Sequence, residues 1–293
     1  MHDLDENTIT QAVIARLSDT PNARLKDVLT SLVQHLHSFA REVRLSEEEL
    51  MQGLAFLTAV GQQCDEKRQE FILLSDTLGL SMLTVAMNEA RQPGGTEATV
   101  FGPFHVDGAP EYPLGADISN GASGLPCFLS GTVRSTDGTP LANARIEVWQ
   151  ADADGFYDVQ YPDLNTHRAR GVLHADAEGR FHFRSIVAEA YPIPHDGPVG
   201  SMLKATARHP WRPAHVHFMI KAPGYAPLIT HVFRKGDRFL ESDAVFGVRS
   251  SLVADWQRHE EGLSPYGESI QPPFYTLHFD FMLSEEQADQ HRG

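Results

Sequence analysis

The chain has 293 residues, 41% of them hydrophobic, enough for about two domains with packed cores, which excludes a disordered chain. Its formal net charge of −15 argues against nucleic acid as a partner, because Lys and Arg drive contacts to phosphate backbones. The two cysteines, Cys64 and Cys127, stand far apart in no CxxC spacing, which excludes a disulfide framework or a thiolate zinc site, and no apolar run approaches the ~18 residues of a membrane span.

The first ten residues are acidic and polar and carry neither the basic nor the apolar stretch of an export signal, so a cytoplasmic protein is expected. Residues 24–43 place Leu25, Val28, Leu29, Leu32, Val33 and Leu36 at spacings of three and four, the period of one helix face. Ser46-Glu47-Glu48-Glu49 fits a capping box ahead of the apolar segment 50–60. Residues 65–91 predict a third long helix, with Phe71, Leu74, Leu78, Met82 and Val85 along one side and Gln92-Pro93-Gly94-Gly95 as its stop.

The texture then changes, near residues 93–105. Segments 128–134 and 144–149 flank Thr136-Asp137-Gly138-Thr139, an Asp-Gly turn signal. Segments 171–174 and 180–186 flank Asp176-Ala177-Glu178-Gly179 in the same way, and 215–221 and 228–233 flank Pro223-Gly224-Tyr225. Segment 274–283 closes the series, and 248–260 has a helical pattern. The expected fold is α+β, with an N-terminal helical domain (1–104) followed by a mostly antiparallel β-sandwich catalytic domain (105–293).

His215-Val216-His217 falls in one predicted strand, where side chains at i and i+2 share a face and two imidazoles can meet one metal ion. With 15 histidines in the chain, such a pair also arises by chance. His35-Leu36-His37 is the control: in a helix, positions i and i+2 point about 200° apart and cannot share a metal. Arg212, three residues before the first His, suits a site that handles an anionic substrate. Tyr157, after a turn, and Tyr191, leading into Pro192-Ile193-Pro194, are further candidates. Spacing alone does not choose Tyr157 over Tyr161, or Tyr191 over Tyr225.

Arg212-Pro213-Ala214-His215-Val216-His217-Phe218, together with Ile146-Glu147-Val148-Trp149-Gln150-Ala151, closely resembles the intradiol ring-cleavage dioxygenases, the catechol, chlorocatechol and hydroxyquinol 1,2-dioxygenases. The resemblance covers most of the chain. It implies one Fe(III) per chain, held by Tyr157 (eight residues after Trp149), by Tyr191 (after the Arg184–Val187 run) and by His215 and His217. Phenolates are hard anionic donors and favour a trivalent cation. It also implies an aromatic diol and O2 as substrates and a cis,cis-muconate as product. Tyr191 would give way to the diol and take up a proton, and Arg212 would stabilise negative charge on the ring. A homodimer joined through the N-terminal helices, with room there for a lipid, is implied as well.

Three further segments resemble the hydroxyquinol branch: Leu73-Leu74-Ser75-Asp76-Thr77-Leu78-Gly79, Thr99-Val100-Phe101-Gly102-Pro103-Phe104 and Asp243-Ala244-Val245-Phe246-Gly247-Val248-Arg249. By that similarity Leu73, Asp76, Val100, Gly102, Phe104, Ile193, Pro194 and Val245 surround the ring. Asp76 on an apolar helix face would accept a hydrogen bond from the third hydroxyl, which catechol lacks. Cleavage of hydroxyquinol to 3-hydroxy-cis,cis-muconate or maleylacetate is therefore the expected reaction, with catechol or chlorocatechol cleavage as the alternative. Where the catechol enzymes carry Gln, His231 stands here. A rival of another class is a non-catalytic, prealbumin-like binding sandwich, which Leu129-Ser130-Gly131-Thr132-Val133 and the following Gly138-Thr139-Pro140-Leu141 also resemble.

Overall fold

The computed structural model describes residues 3–65, 68–89, 94–271 and 273–286. The far end of the helix expected over 65–91, and Gln92-Pro93 of its stop signal, lie outside the described residues. By contact the chain divides into two units, 1–59 and 60–293.

The first unit is helical. Helix α1 spans Ile9–Ala15 and α2 spans Ala23–Glu42, which begins where the Asn22 side chain accepts from the Leu25 backbone N–H at 2.8 Å. The capping box forms as read: Ser46 Oγ accepts from Glu49 N (3.2 Å), and the Glu49 carboxylate accepts from Ser46 N (2.8 Å). It starts α3, Glu47–Gln62, which carries the chain across the boundary between the units.

In the second unit the long helix expected over 65–91 is two helices, α4 (Glu70–Thr77) and α5 (Leu80–Glu89), bent by 72°. Gly79 makes the break. At φ +75° it takes the left-handed conformation that closes a helix, and its N–H bonds the Asp76 carbonyl at 3.0 Å. The apolar spacing on either side hid the interruption. The contacts group α4 and α5 with the β-rich part of the chain, ahead of the change of texture at 93–105.

The strands are β1 (Pro126–Ser135), β2 (Arg145–Gln150), β3 (Arg170–His174), β4 (Arg180–Ile186), β5 (Tyr191–Pro192), β6 (Trp211–Arg212), β7 (His215–Lys221), β8 (Leu228–Arg234), β9 (Val253–Ala254), β10 (Gln257–His259), β11 (Gly262–Leu263), β12 (Ser269–Ile270), β13 (Phe274–His278) and β14 (Phe281–Leu283), with α6 at Pro198–Ala205. One sheet runs β3-β2-β7-β8-β9; the other centres on β1, with β4 on one side and β13, β14 and β10 on the other. Most pairings are antiparallel, but β1 pairs in parallel with β13 and β14, and β8 with β9. Both sharp turns form, yet β1 and β2 join different sheets, as do β3 and β4. Of the three expected strand pairs, 215–221 and 228–233 do pair with each other as a hairpin, β7 with β8.

Residues 248–260 form no α-helix; a single 3-10 turn, Ser250–Leu252, leads into extended chain. Leu252 and Trp256 are buried at helical spacing, but Val253 and Ala254 instead extend the sheet beside Phe233 and Arg234. Between the two sheets lies the core, built from Ile146, Val148, Val216, Phe218 and Ile220 on one side and Leu129, Val133, Phe181, Phe183 and Phe281 on the other. Each such side chain stabilises the fold by about 1.5–3 kcal/mol on burial. Because strand side chains alternate, the same strands turn Glu147, Trp149, His215, His217 and His231 to the opposite face, also buried, where the chemistry gathers. Among the described residues no single helix is long and apolar enough to cross a membrane.

Candidate metal centre

On that face the four expected donors converge. His217 Nε2 lies 3.1 Å from His215 Nε2 and 3.0 Å from Tyr157 Oη, and Tyr157 Oη lies 3.3 Å from Tyr191 Oη. Each element aims its donor for a local reason. The period of β7 puts both imidazoles on one side. Tyr157 follows the Asp152–Phe156 turn, in which Asp152 accepts from Asp154 N, from Phe156 N and from the Tyr161 hydroxyl at 2.6 Å. Tyr161 therefore serves as a brace for that turn. The two-residue pair β5–β6 sets Tyr191 directly opposite Arg212. Tyr225 lies in the β7–β8 turn, its N–H bonded to the Ala222 carbonyl.

The orientation of the imidazoles suits metal ligation. His215 Nδ1 donates to the Pro213 carbonyl at 2.7 Å, so its proton sits there and Nε2 presents a lone pair to the cluster. Trp149 stacks on His217 at 4.7 Å with planes 16° apart, and a Cβ on Gly102, at φ +75°, would stand 3.2 Å from His217 Cε1. Gly102 thus lets the loop close against the ring. Phe104 stacks on Tyr157 at 4.4 Å.

Burial holds both histidines well below the usual imidazole range, with Arg212 adding to the effect. Burial likewise raises both phenols, Tyr157 the further, with Tyr191 beside it as a second cause. Neutral imidazoles and protonated phenols packed this closely fit a multivalent cation, which would draw the phenolic protons off. The donor set fits a hard trivalent ion better than zinc, which takes Cys and His in structural sites.

Arg212 is buried, and its charge is kept. Burial opposes it, and the Asp243 carboxylate beside it is the main influence that holds the charge in place. Nε and Nη2 donate to Asp243 Oδ1 and Oδ2 at 3.0 and 3.2 Å, and Nη1 donates to His215 Nε2 at 3.3 Å. His231 pairs with His217 across the hairpin; its Nδ1 lies 2.9 Å from Thr99 Oγ1, and its ring meets that of His217 at 4.1 Å. His215, His217 and His231 together form a three-imidazole group, the third member of which the spacing of the first two did not reveal.

A cavity of about 440 Å³ is lined by Phe156 and Pro192, the chain neighbours of Tyr157 and Tyr191, and by Leu73, Phe104, Ile193 and Pro194 of the expected pocket residues. Asp76, Val100, Gly102 and Val245 are buried but do not line that cavity; Asp76 lies within the electrostatic reach of Arg212 and Asp243. The Asp76 carboxyl is raised by burial, against a hydrogen bond from Ser81 and the pull of Arg212. Residues the sequence did not single out include Arg68 and Glu70 at the cavity, and the buried pair Arg170–Asp158 behind Tyr157.

Residues 101–285 match the family model described as Dioxygenase, and residues 22–96 the one described as Catechol dioxygenase N terminus. A 6-chlorohydroxyquinol 1,2-dioxygenase of Cupriavidus pinatubonensis is 63% identical over 284 residues, covering 97% of this chain and 99% of that protein. A hydroxyquinol 1,2-dioxygenase of Nocardioides simplex is 50% identical over 280 residues, covering 95% of each. Among solved structures, hydroxyquinol 1,2-dioxygenase from Pseudomonas putida DLL-E4 superposes with a TM-score of 0.87 at 43% identity, covering 96% of this chain and 99% of that one.

Proposed function

The chain belongs to the intradiol ring-cleavage dioxygenase family, and from that premise we propose that it opens hydroxyquinol (benzene-1,2,4-triol) with O2 between the two adjacent hydroxyl-bearing carbons. Both atoms of O2 enter the product, 3-hydroxy-cis,cis-muconate, whose keto form is maleylacetate. Family membership sets aside the non-catalytic sandwich reading. The observation that carries the proposal is the convergence of Tyr157 Oη, Tyr191 Oη, His215 Nε2 and His217 Nε2 beside the buried Arg212.

These four residues would hold one Fe(III) per chain. When bound, that ion supplies a strong Lewis acid that draws electron density from the diol and readies the ring for O2. Tyr191 Oη receives a proton from the entering diol. His215 keeps its lone pair on the cluster through its Nδ1–H bond to Pro213. Arg212 Nη1, the guanidinium nitrogen that Asp243 leaves free, lies 3.3 Å from His215 Nε2 and would stabilise negative charge on the reacting ring. Leu73, Phe104, Ile193 and Pro194 exclude water around the ring, with Val100, Gly102 and Val245 behind them, and Asp76 accepts from the third hydroxyl. A chlorinated triol is the second reading, supported by the 63% identical relative. The same reading makes the chain a homodimer through its N-terminal helices, with space there for a lipid.

Oxygen uptake with hydroxyquinol, 6-chlorohydroxyquinol, catechol and chlorocatechols tests the proposal, alongside metal analysis and the visible spectrum. The expected protein is reddish from tyrosinate-to-iron charge transfer, with iron near one per chain and its highest kcat/KM on a triol. His215→Ala and His217→Ala should lose the iron, and Tyr157→Phe should shift the band. A colourless active enzyme, or one that prefers catechol, would overturn the proposal.

A further inference from the structure

Arg212 does not hold its own position. Its guanidinium is gripped from one edge by Asp243, 31 residues further along the chain, through both carboxylate oxygens. Asp243 is itself fixed: Oδ1 accepts from Val245 N at 3.3 Å, and Oδ2 accepts from Gly247 N at 2.9 Å. The turn between them is strained, since Phe246, a bulky residue, sits at φ +59°. The turn is also tied outward. Arg208 Nη2 donates to the Ala244 carbonyl at 3.0 Å, while its Nη1 donates to the Thr77 carbonyl, at the end of α4, at 2.7 Å.

Gly247 closes the device. A Cβ there would lie 2.9 Å from Arg212 Nη2 and 3.2 Å from Asp243 Oδ2, and Gly247 is outside the left-handed region. Its lack of a side chain therefore answers a need for space. Two of the three guanidinium nitrogens are thereby bound to the carboxylate, and the opposite edge is left toward the cluster, with Nη1 3.3 Å from His215 Nε2 and the second N–H of Nη2 toward His231 Nδ1 at 3.4 Å. A planar fork held along one edge cannot rotate in its own plane.

We propose that Asp243 is a positioning residue for catalysis: through the 243–247 turn it locks the Arg212 guanidinium by one edge so that the opposite edge, led by Nη1, faces the reacting ring. The inference rests on the function proposed above, and on Arg212 acting there.

The test is a mutant cycle in the iron-loaded full-length protein, with hydroxyquinol as substrate. Asp243→Asn puts an amide donor opposite one guanidinium N–H and breaks the fork. kcat should fall by about 10- to 100-fold, the size of one or two charged hydrogen bonds, with KM within about twofold and the charge-transfer band unmoved. Arg212→Lys should lose a similar amount. The double variant should be no worse than Arg212→Lys alone, because Asp243 acts only through the guanidinium. Losses that multiply would overturn the inference, and so would full activity in Asp243→Asn when Arg212→Lys is impaired. An unimpaired Arg212→Lys would instead overturn the catalytic role of Arg212. Gly247→Ala keeps the result decisive should Asp243→Asn fail to fold. It should lower kcat when Arg212 is present and cost nothing further in an Arg212→Ala background; equal losses in both backgrounds would reject the lock.

Discussion

Asp76 sits where helix physics disfavours a carboxylate, in the last turn of α4, where the helix dipole is negative. It is buried, and burial raises its carboxyl. Arg212, the cation that could neutralise it, is already engaged by Asp243. On the proposed function, this acceptor takes the third hydroxyl of the triol. Asp76→Ala should therefore lower the ratio of kcat/KM for hydroxyquinol over that for catechol by roughly ten- to a hundredfold, the equivalent of about 1.5–3 kcal/mol. Asp76→Asn keeps an acceptor without the charge and should fall between. Equal losses on both diols, read from initial rates of oxygen uptake, would transfer the choice of substrate to the shape of the cavity. Residues of this kind differ in how openly the sequence carries them. His215 and His217 follow from the period of a strand. Tyr157 and Tyr191 lie in turns and a two-residue strand, where no period constrains a side chain, and a family resemblance was needed to choose them. Asp243 and Arg212 meet only through the folded 243–247 turn, which spacing cannot express.

At the scale of elements, the loops around the centre are held by a buried ion pair. Arg170, at the start of β3, donates through Nε and Nη2 to the Asp158 carboxylate, next to Tyr157, and through Nη2 to the Phe104 carbonyl at 2.8 Å. One side chain thus fixes the Tyr157 turn and the loop that stacks Phe104 on it. Arg170→Met keeps the volume but strands the carboxylate, and should cost about 3–5 kcal/mol of stability in urea unfolding. It should also displace the charge-transfer band, since Tyr157 loses its backing. Adding Asp158→Leu should recover part of the loss, because the unpaired charge is gone. A single-variant loss under about 1 kcal/mol would mean that water screens the pair. The sequence foretold the strands and the turns better than their partners. Asp137-Gly138 turns the chain sharply, yet β2 then leaves for the other sheet, because inward residues on both strands face a common core rather than each other. The 65–91 and 248–260 segments share one cause: apolar spacing at three and four is satisfied equally by a helix broken at Gly79 and by an extended segment that buries Leu252 and Trp256.

Across the whole molecule, the two units differ in how much apolar surface they cover. In the 60–293 unit a closed core fills the space between the sheets, with Phe71, Leu80, Leu83 and Met87 of α4 and α5 left outside it, whereas α2 and the residue after it leave Leu25, Val28, Leu32, Leu36, Phe39 and Val43 exposed in one stripe. At 1.5 Å of rise per residue that stripe is about 27 Å long, more than a monomer usually leaves in water. On the homodimer proposed above, a second copy of the chain covers it. Each copy carries a net charge of −15, so association is opposed by repulsion that salt screens, and the dimer should tighten as ionic strength rises. Sedimentation equilibrium of the wild-type protein should give a dimer. Leu32→Glu combined with Leu36→Glu puts two charges in the middle of the stripe and should give a monomer. Because every proposed ligand and pocket residue lies within 60–293, activity per chain should stay within about twofold in that monomer. A wild-type monomer whose mass spectrum shows a bound acyl chain would assign the stripe to a lipid instead, and a charged variant that remained dimeric would move the interface off α2.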